Sequence, residues 1–189
     1  MSPEWSITLS IFRSDHDTSG RFDQFEIKAS PDEYVLDLVE RTWAKHDRSI
    51  TFAQACHHSV CGACGMVVNG IEKLTCITPV RSVSKDGGLI KVEPLKNFPV
   101  ISDLAVDMSR FYIQMEEVGF KQVVPVGEAP IADGIAPSNP ASDSGIERLV
   151  DCIECGLCLS ACPIVATNET YVGPAVLAAV QQEGLDGRP

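Results

Sequence analysis

The sequence of 189 residues has no apolar run near the roughly 20 residues needed to span a bilayer. The stretch from Val118 to Val126 is broken by Gly, Lys, Gln and Pro. The N-terminus, Met1-Ser2-Pro3-Glu4-Trp5, has neither the basic region nor the apolar core of a secretory signal. Basic residues are scarce: 15 Lys and Arg stand against 26 Asp and Glu, for a net charge of −11. That balance argues against non-specific nucleic-acid binding, which needs clustered cations. There is no Gly-x-Gly-x-x-Gly fingerprint, no phosphate-binding P-loop and no Gly-x-Ser-x-Gly elbow. A dinucleotide fold and a serine hydrolase are therefore not indicated. Internal repeats and low-complexity runs are also missing. The expectation is a cytoplasmic chain that meets a membrane only through a partner.

What the sequence does have is cysteine, eight residues in two groups. A secreted disulfide scaffold would need a signal peptide and a chain short enough to depend on staples. Neither condition holds, so the cysteines read as metal or redox ligands.

The segments around them have a clear order. Trp5 to Ile11 alternates apolar and polar residues, as a half-buried strand does. Phe25 to Ala29 alternates again after the polar loop Ser14 to Arg21, so the two predict an antiparallel hairpin. Ser30-Pro31-Asp32-Glu33 predicts a helix start, with Ser30 as cap, Pro31 at the first helical position and Glu33 closing a capping box. Val35, Leu38, Val39 and Trp43 continue it at helical spacing to about Lys45. Met66 to Val68, Asn69-Gly70 and Ile71 to Ile77 predict a second hairpin, because Asn-Gly accepts positive φ at both turn positions. Leu89 to Glu93 is a last strand. This order is that of a ubiquitin-like β-grasp. Ser102 to Val118 predicts a helix with a stripe of Leu104, Met108, Phe111 and Met115. Val124 to Gly145, with four Pro, four Ala and three Gly, reads as a linker. Ile146 to Val150 leads helically into the second cysteine group, and Ala175 to Gln182 is a final helix behind Pro174.

Cys56, Cys61, Cys64 and Cys76 follow C-x4-C-x2-C-x11-C. The opening spacing is that of plant-type [2Fe–2S] proteins. Thiolates can hold a two-iron rhomb with two ligands per iron, and Gly62 and Gly65 let the loop backbone come close. Structural zinc prefers paired C-x2-C knuckles. His57 and His58 read as loop residues that contact a partner or tune the potential. Cys152, Cys155, Cys158 and Cys162 follow C-x2-C-x2-C-x3-C-P, the bacterial ferredoxin run. Three of these wrap three corners of a [4Fe–4S] cubane, with Gly156 letting the turn approach and Pro163 ending it. Glu154, between two ligands, reads as a surface carboxylate, the alternative being that its charge lowers the cubane's potential. In two-cluster proteins the fourth cysteine of the run serves the other cluster. Three arrangements remain open: the chain stops before a further cysteine run, Cys162 closes a single cubane, or a partner chain supplies the missing ligands.

With both groups in place, the chain resembles the iron–sulfur subunit of succinate dehydrogenase and fumarate reductase. The Cys56-to-Gly65 loop, the Leu74-Thr75-Cys76 return, the stretch from Pro94 to Leu104, the Cys152-to-Cys158 run and Val172-Gly173-Pro174-Ala175 carry the likeness. It implies an α+β chain: an N-terminal β-grasp domain with a [2Fe–2S] cluster, then a helical ferredoxin-like domain with a [4Fe–4S] cluster. It assigns Cys56, Cys61, Cys64 and Cys76 to the first cluster. Cys152, Cys155 and Cys158 go to the second, and Cys162 to a [3Fe–4S] cluster when the chain is completed. The chain departs from the family in stopping before its last cysteine run. It also has Ile164-Val165-Ala166-Thr167-Asn168 after Pro163, where a quinone-pocket Trp is common.

The expected domains are 1–100 (β-grasp), 101–145 (helix and linker) and 146–189 (helical cluster domain). The expected function is electron relay between an FAD-containing subunit and quinone at a membrane-anchor subunit, with the substrate chemistry on the flavoprotein. Alternatives are the iron–sulfur subunit of another flavoenzyme or of a heterodisulfide-type reductase, a free-standing soluble ferredoxin, and a zinc-stabilised interaction module.

Overall fold

A computed structural model describes residues 4–14, 20–118 and 151–185, the side chains of 182–185 excepted. The expected linker (124–145) and helical lead (146–150) lie outside the described residues.

Five strands form one sheet in the order β2-β1-β5-β3-β4. They are β1 (Trp5–Arg13), β2 (Arg21–Ala29), β3 (Gly65–Val68), β4 (Ile71–Leu74) and β5 (Leu89–Glu93). The alternation read in the sequence decides which faces are buried: Ile7, Leu9 and Ile11 point inward and are fully buried. β1 and β2 pair antiparallel from Trp5 opposite Ala29 to Arg13 opposite Arg21. β1 and β5 pair parallel, Thr8 with Leu89 and Ile11 with Val92. A parallel neighbour demands a crossover, and helix α1 (Val35–Lys45) lies on that route. It buries Val35, Leu36, Leu38, Val39 and Thr42 in the same core as the inward strand residues. Each such aliphatic side chain contributes about 1.5–3 kcal/mol on burial. The β3–β4 turn has Asn69 at φ 49° and Gly70 at φ 84°, as the Asn-Gly pair predicted. The α+β class and the β-grasp sheet are thus both present.

Four local expectations need correction. The Ser30–Glu33 box forms, with the Ser30 N–H donating to Glu33 at 2.8 Å, but it closes a turn rather than starting the helix. A second box follows, Tyr34 N–H to Asp37 at 2.9 Å, and α1 begins only at Val35. Tyr34 stays extended because it bridges to Pro79. The strand from Ile71 ends at Leu74, and Thr75–Ile77 form a 3-10 turn. There Thr75 donates both its N–H and its hydroxyl to the Cys64 carbonyl, at 3.2 and 2.9 Å.

The expected helix over 102–118 is also shorter. Val100–Ser102 (β6) and Ala105–Val106 (β7) pair as a small hairpin, and α2 runs only over Ser109–Glu117. Asp103 is the cause. It sits at φ 47° and its carboxylate accepts from Arg13 Nε, Ser14 N–H and Thr51 N–H at 2.8–3.0 Å. Those bonds hold a left-handed turn where a helix would need φ near −60°. The expected apolar stripe is accordingly divided: Leu104 enters the sheet core, while Phe111 and Met115 enter a second one. Finally, Pro163 does not end a turn. It is the first residue of α4 (Pro163–Thr167), with Cys162 as its cap.

The second core joins α2 to α3 (Leu157–Ser160) and α5 (Pro174–Leu185) through Phe111, Met115, Leu159, Ala175, Val176 and Ala179. Phe98 and Met108, the latter capping α2, pack against it.

Candidate metal centres

The loop between α1 and β3 brings Cys56, Cys61 and Cys64 to one end of the sheet, and the 3-10 turn after β4 returns Cys76 to them. The backbone is wound so that its N–H groups point at sulfur. Cys56 Sγ accepts from His58, Val60 and Cys61 at 3.3–3.5 Å, Cys61 Sγ from Cys56 at 3.4 Å, and Cys76 Sγ from Ser59 at 3.4 Å. His57 and Ser59 take φ 60° to make this possible. The effect on the thiols is large. The His58 N–H first, then the Cys61 thiol and the Cys61 and Val60 N–H groups, bring Cys56 down to about 6. Burial first, then the Cys64 thiol, push Cys76 up to about 11. Cys56 thus contacts Cys61, and Cys64 contacts Cys76. That pairing suits two irons with two thiolates each.

None of the eight cysteines is paired in a disulfide. A single tetrahedral zinc, with Zn–S near 2.3 Å, would draw its sulfurs to about 3.8 Å from one another. Among the described residues, no three cysteine sulfurs lie within 4.8 Å of one another. The four-thiolate donor set of the first group fits a two-iron cluster. His57 does not face the sulfurs. Its Nε2 lies 2.9 Å from Gln54 and 3.2 Å from Glu40, so it ties the loop to α1.

The second group lies on the turn entering α3 and on the α3–α4 junction. Gly156 is left-handed at φ 74°, and a Cβ there would come within 2.8 Å of Met108 Cε and 3.0 Å of the Phe98 ring. Half-buried Cys155 has its thiol pushed up by burial first, Cys152 and Cys64 adding to the shift. Glu154 is not the surface carboxylate expected: it is 7% exposed, with φ 53°.

The two groups meet. A Cβ on Gly62, in the first loop, would lie 2.8 Å from Cys155 Cα and Cβ and 3.0 Å from the Ile153 carbonyl. At Gly65 the nearest atom is the Cys155 carbonyl, 3.2 Å from such a Cβ. Sequence reasoning found the eight cysteines and both loop glycines, but it assigned the glycines to a cluster and not to this contact. It missed the residues that hold the groups together: Glu72, Lys96 and Asn97 against Ser160 and its neighbours. No spacing rule marks them.

These features define an iron–sulfur protein of the β-grasp two-iron class, extended by a helical cysteine-bearing module. A family model described as a 2Fe-2S iron-sulfur cluster binding domain matches residues 8–113. The chain is 34% identical over 180 residues to the fumarate reductase iron-sulfur subunit of Mycobacterium tuberculosis, covering 95% of this chain and 72% of that one. It is 31% identical over 195 residues to the succinate dehydrogenase iron-sulfur subunit of Bacillus subtilis, covering 96% and 73%. A chain of the Mycobacterium smegmatis Sdh1 complex in the apo form is similar in structure, with a TM-score of 0.72 at 27% identity over 92% of this chain and 72% of that one. The chain belongs to the family of succinate dehydrogenase and fumarate reductase iron–sulfur subunits. No helix among the described residues is long and apolar enough to cross a membrane.

Proposed function

We propose that this chain relays single electrons between an FAD-containing subunit and quinone at a membrane-anchor subunit, peripheral to the membrane through those partners. The observation that carries the reading is the contact of Gly62 with Cys155, which brings the two cysteine groups against each other. In this reading Cys56, Cys61, Cys64 and Cys76 hold a [2Fe–2S] cluster. Cys152, Cys155 and Cys158 hold three corners of a [4Fe–4S] cluster, and Cys162 either closes it or serves a [3Fe–4S] cluster. The clusters, when bound, supply one-electron redox chemistry. The chain's own residues do the rest. The N–H groups of His58, Ser59, Val60 and Cys61 stabilise negative charge on the thiolates, a stabilisation that tunes a reduction potential. Gly62 allows close approach. The domains follow the same division: 1–100 for the first cluster, 146–189 for the second, and 101–145 between them.

The test is anaerobic purification with partners, iron and acid-labile sulfide per chain, and low-temperature EPR of the reduced sample. Two distinct cluster signals and a co-purifying flavin subunit support the relay. Iron for the first group alone would leave this chain without a second relay site and sink the proposal.

A further inference from the structure

We propose that Asn97 is a positioning residue for the second cysteine group, acting on it from the β-grasp module. The inference rests on the reading of Cys152, Cys155 and Cys158 as cluster ligands.

The α3–α4 junction joins Cys158 to Cys162 in very few residues. A helix as short as α3 has no interior, and the turn's own backbone supplies single bonds: Cys162 N–H to Leu159 at 3.2 Å and Ala166 N–H to Cys162 at 3.3 Å. One side chain adds a further donor along this turn. Asn97 Nδ2 donates to the carbonyls of Leu159 at 2.8 Å, Ser160 at 3.1 Å and Cys162 at 3.2 Å. All three partners are acceptors, so the amide must present its NH2 there, and two hydrogens are shared among three oxygens. Asn97 itself is held at φ 63°, a region in which Asn is favoured among side-chain-bearing residues.

A second set of bonds locks the same turn from its buried side. Ser160 is 3% exposed. Its hydroxyl accepts from the Lys96 backbone N–H at 2.8 Å and donates to Glu72 on β4 at 3.0 Å. Lys96 Nζ lies 3.5 Å from the same Glu72 oxygen. The turn between two candidate ligands is thus gripped on both sides by the first module. The path from Cys158 to Cys162 is set by Asn97, Lys96 and Glu72 as much as by its own sequence.

The experiment uses the anaerobically purified complex carrying the full chain. Asn97→Gly keeps the left-handed backbone accessible and removes only the amide. Ser160→Ala removes the other grip. Asn97→Asp keeps the shape but turns a carboxylate toward three carbonyl oxygens. Low-temperature EPR, potentiometric titration of both clusters and hydrogen exchange over 159–166 are read in each. All three variants are expected to weaken the second-cluster signal and shift its midpoint potential, most in Asn97→Asp. The [2Fe–2S] spectrum should be unchanged and the 159–166 amides should exchange faster. The proposal is overturned if Asn97→Gly and Ser160→Ala leave the second cluster's spectrum and potential as in the unsubstituted complex. It is equally overturned if both clusters weaken together, the mark of a merely structural role. Absence of any second-cluster signal in the unsubstituted complex would instead remove the reading beneath it.

Discussion

Gly62 and Cys155 are in backbone contact: a methyl group on Gly62 would lie 2.8 Å from both Cα and Cβ of Cys155. No side chain fits between the two cysteine loops at this point. Gly62 is also left-handed, at φ 73°. The two constraints separate experimentally, because Gly70 has a similar φ of 84° and nothing within 4 Å of its would-be Cβ. Gly70→Ala should cost only the left-handed penalty, about 1–2 kcal/mol. Gly62→Ala should cost more and, since the obstacle is backbone, push the loops apart. Spin–spin interaction between the two proposed clusters, once reduced, should fall in Gly62→Ala and persist in Gly70→Ala. Equal behaviour of the two variants would remove the contact from the argument.

Gly156 makes a parallel prediction within the second group. At φ 74°, its Cβ would meet the ends of Met108 and Phe98. These are far ends of side chains, so repacking can absorb part of the clash. Gly156→Ala should lower second-group iron per chain, and adding Met108→Ala should restore part of it. The measurement is iron content of the single and double variants. No rescue would mean that the backbone conformation dominates.

Arg13 and Asp103 form a buried pair, 7% and 5% exposed at the side chain, with Nε 3.0 Å from the carboxylate. Asp103 also accepts from the N–H groups of Ser14 and Thr51. Removing one partner of a buried, hydrogen-bonded ion pair costs about 3–5 kcal/mol. Here Asp23 and Asp47 remain beside the guanidinium, so Asp103→Ala should fall at the low end, about 3 kcal/mol. Urea unfolding at neutral pH measures it. A loss below about 1 kcal/mol, the range of an exposed pair, would contradict the assignment.

Asp47 carries the pH dependence of the same network. Hydrogen bonds from Ser49 first, then from Arg13, lower its carboxyl to about 2 from an ordinary 3.8. A depressed folded pKa contributes stability that is complete above the unfolded value and lost as pH falls toward the folded one. The window is therefore about pH 4 down to about 2. Asp47→Asn should be less stable than the unsubstituted chain at pH 6, and the gap should close through that window. Thermal unfolding followed by circular dichroism at a series of pH values reads the difference. A gap independent of pH would exclude the linkage.

Local patterns made much of this protein legible in advance. Alternation in Trp5–Ile11 marked β1, Asn69-Gly70 marked the turn, and Leu89–Glu93 was a strand with those bounds. Cysteine spacing marked both groups, because a wrapped cluster takes most of its ligands from one short loop. The family likeness was carried by the same loops.

The misreadings share a cause. Ser102–Val118 has helical periodicity, yet Asp103 is captured by Arg13, a residue 90 positions away. Glu154 has the chemistry of a surface residue, yet the fold buries it.

The sequence by itself determined most strands of the sheet, the two cysteine groups and the two-iron class of the first, since these follow from periods and spacings of a few residues. Only the tertiary structure decided that Gly62 lies on Cys155, that Asn97 gathers the carbonyls of the Cys158–Cys162 turn, and that Arg13 stops a helix at Asp103. Each is a contact between residues far apart in the chain. Such contacts arise only when packing satisfies buried polar groups and close-packed surfaces together, a condition that no local pattern encodes.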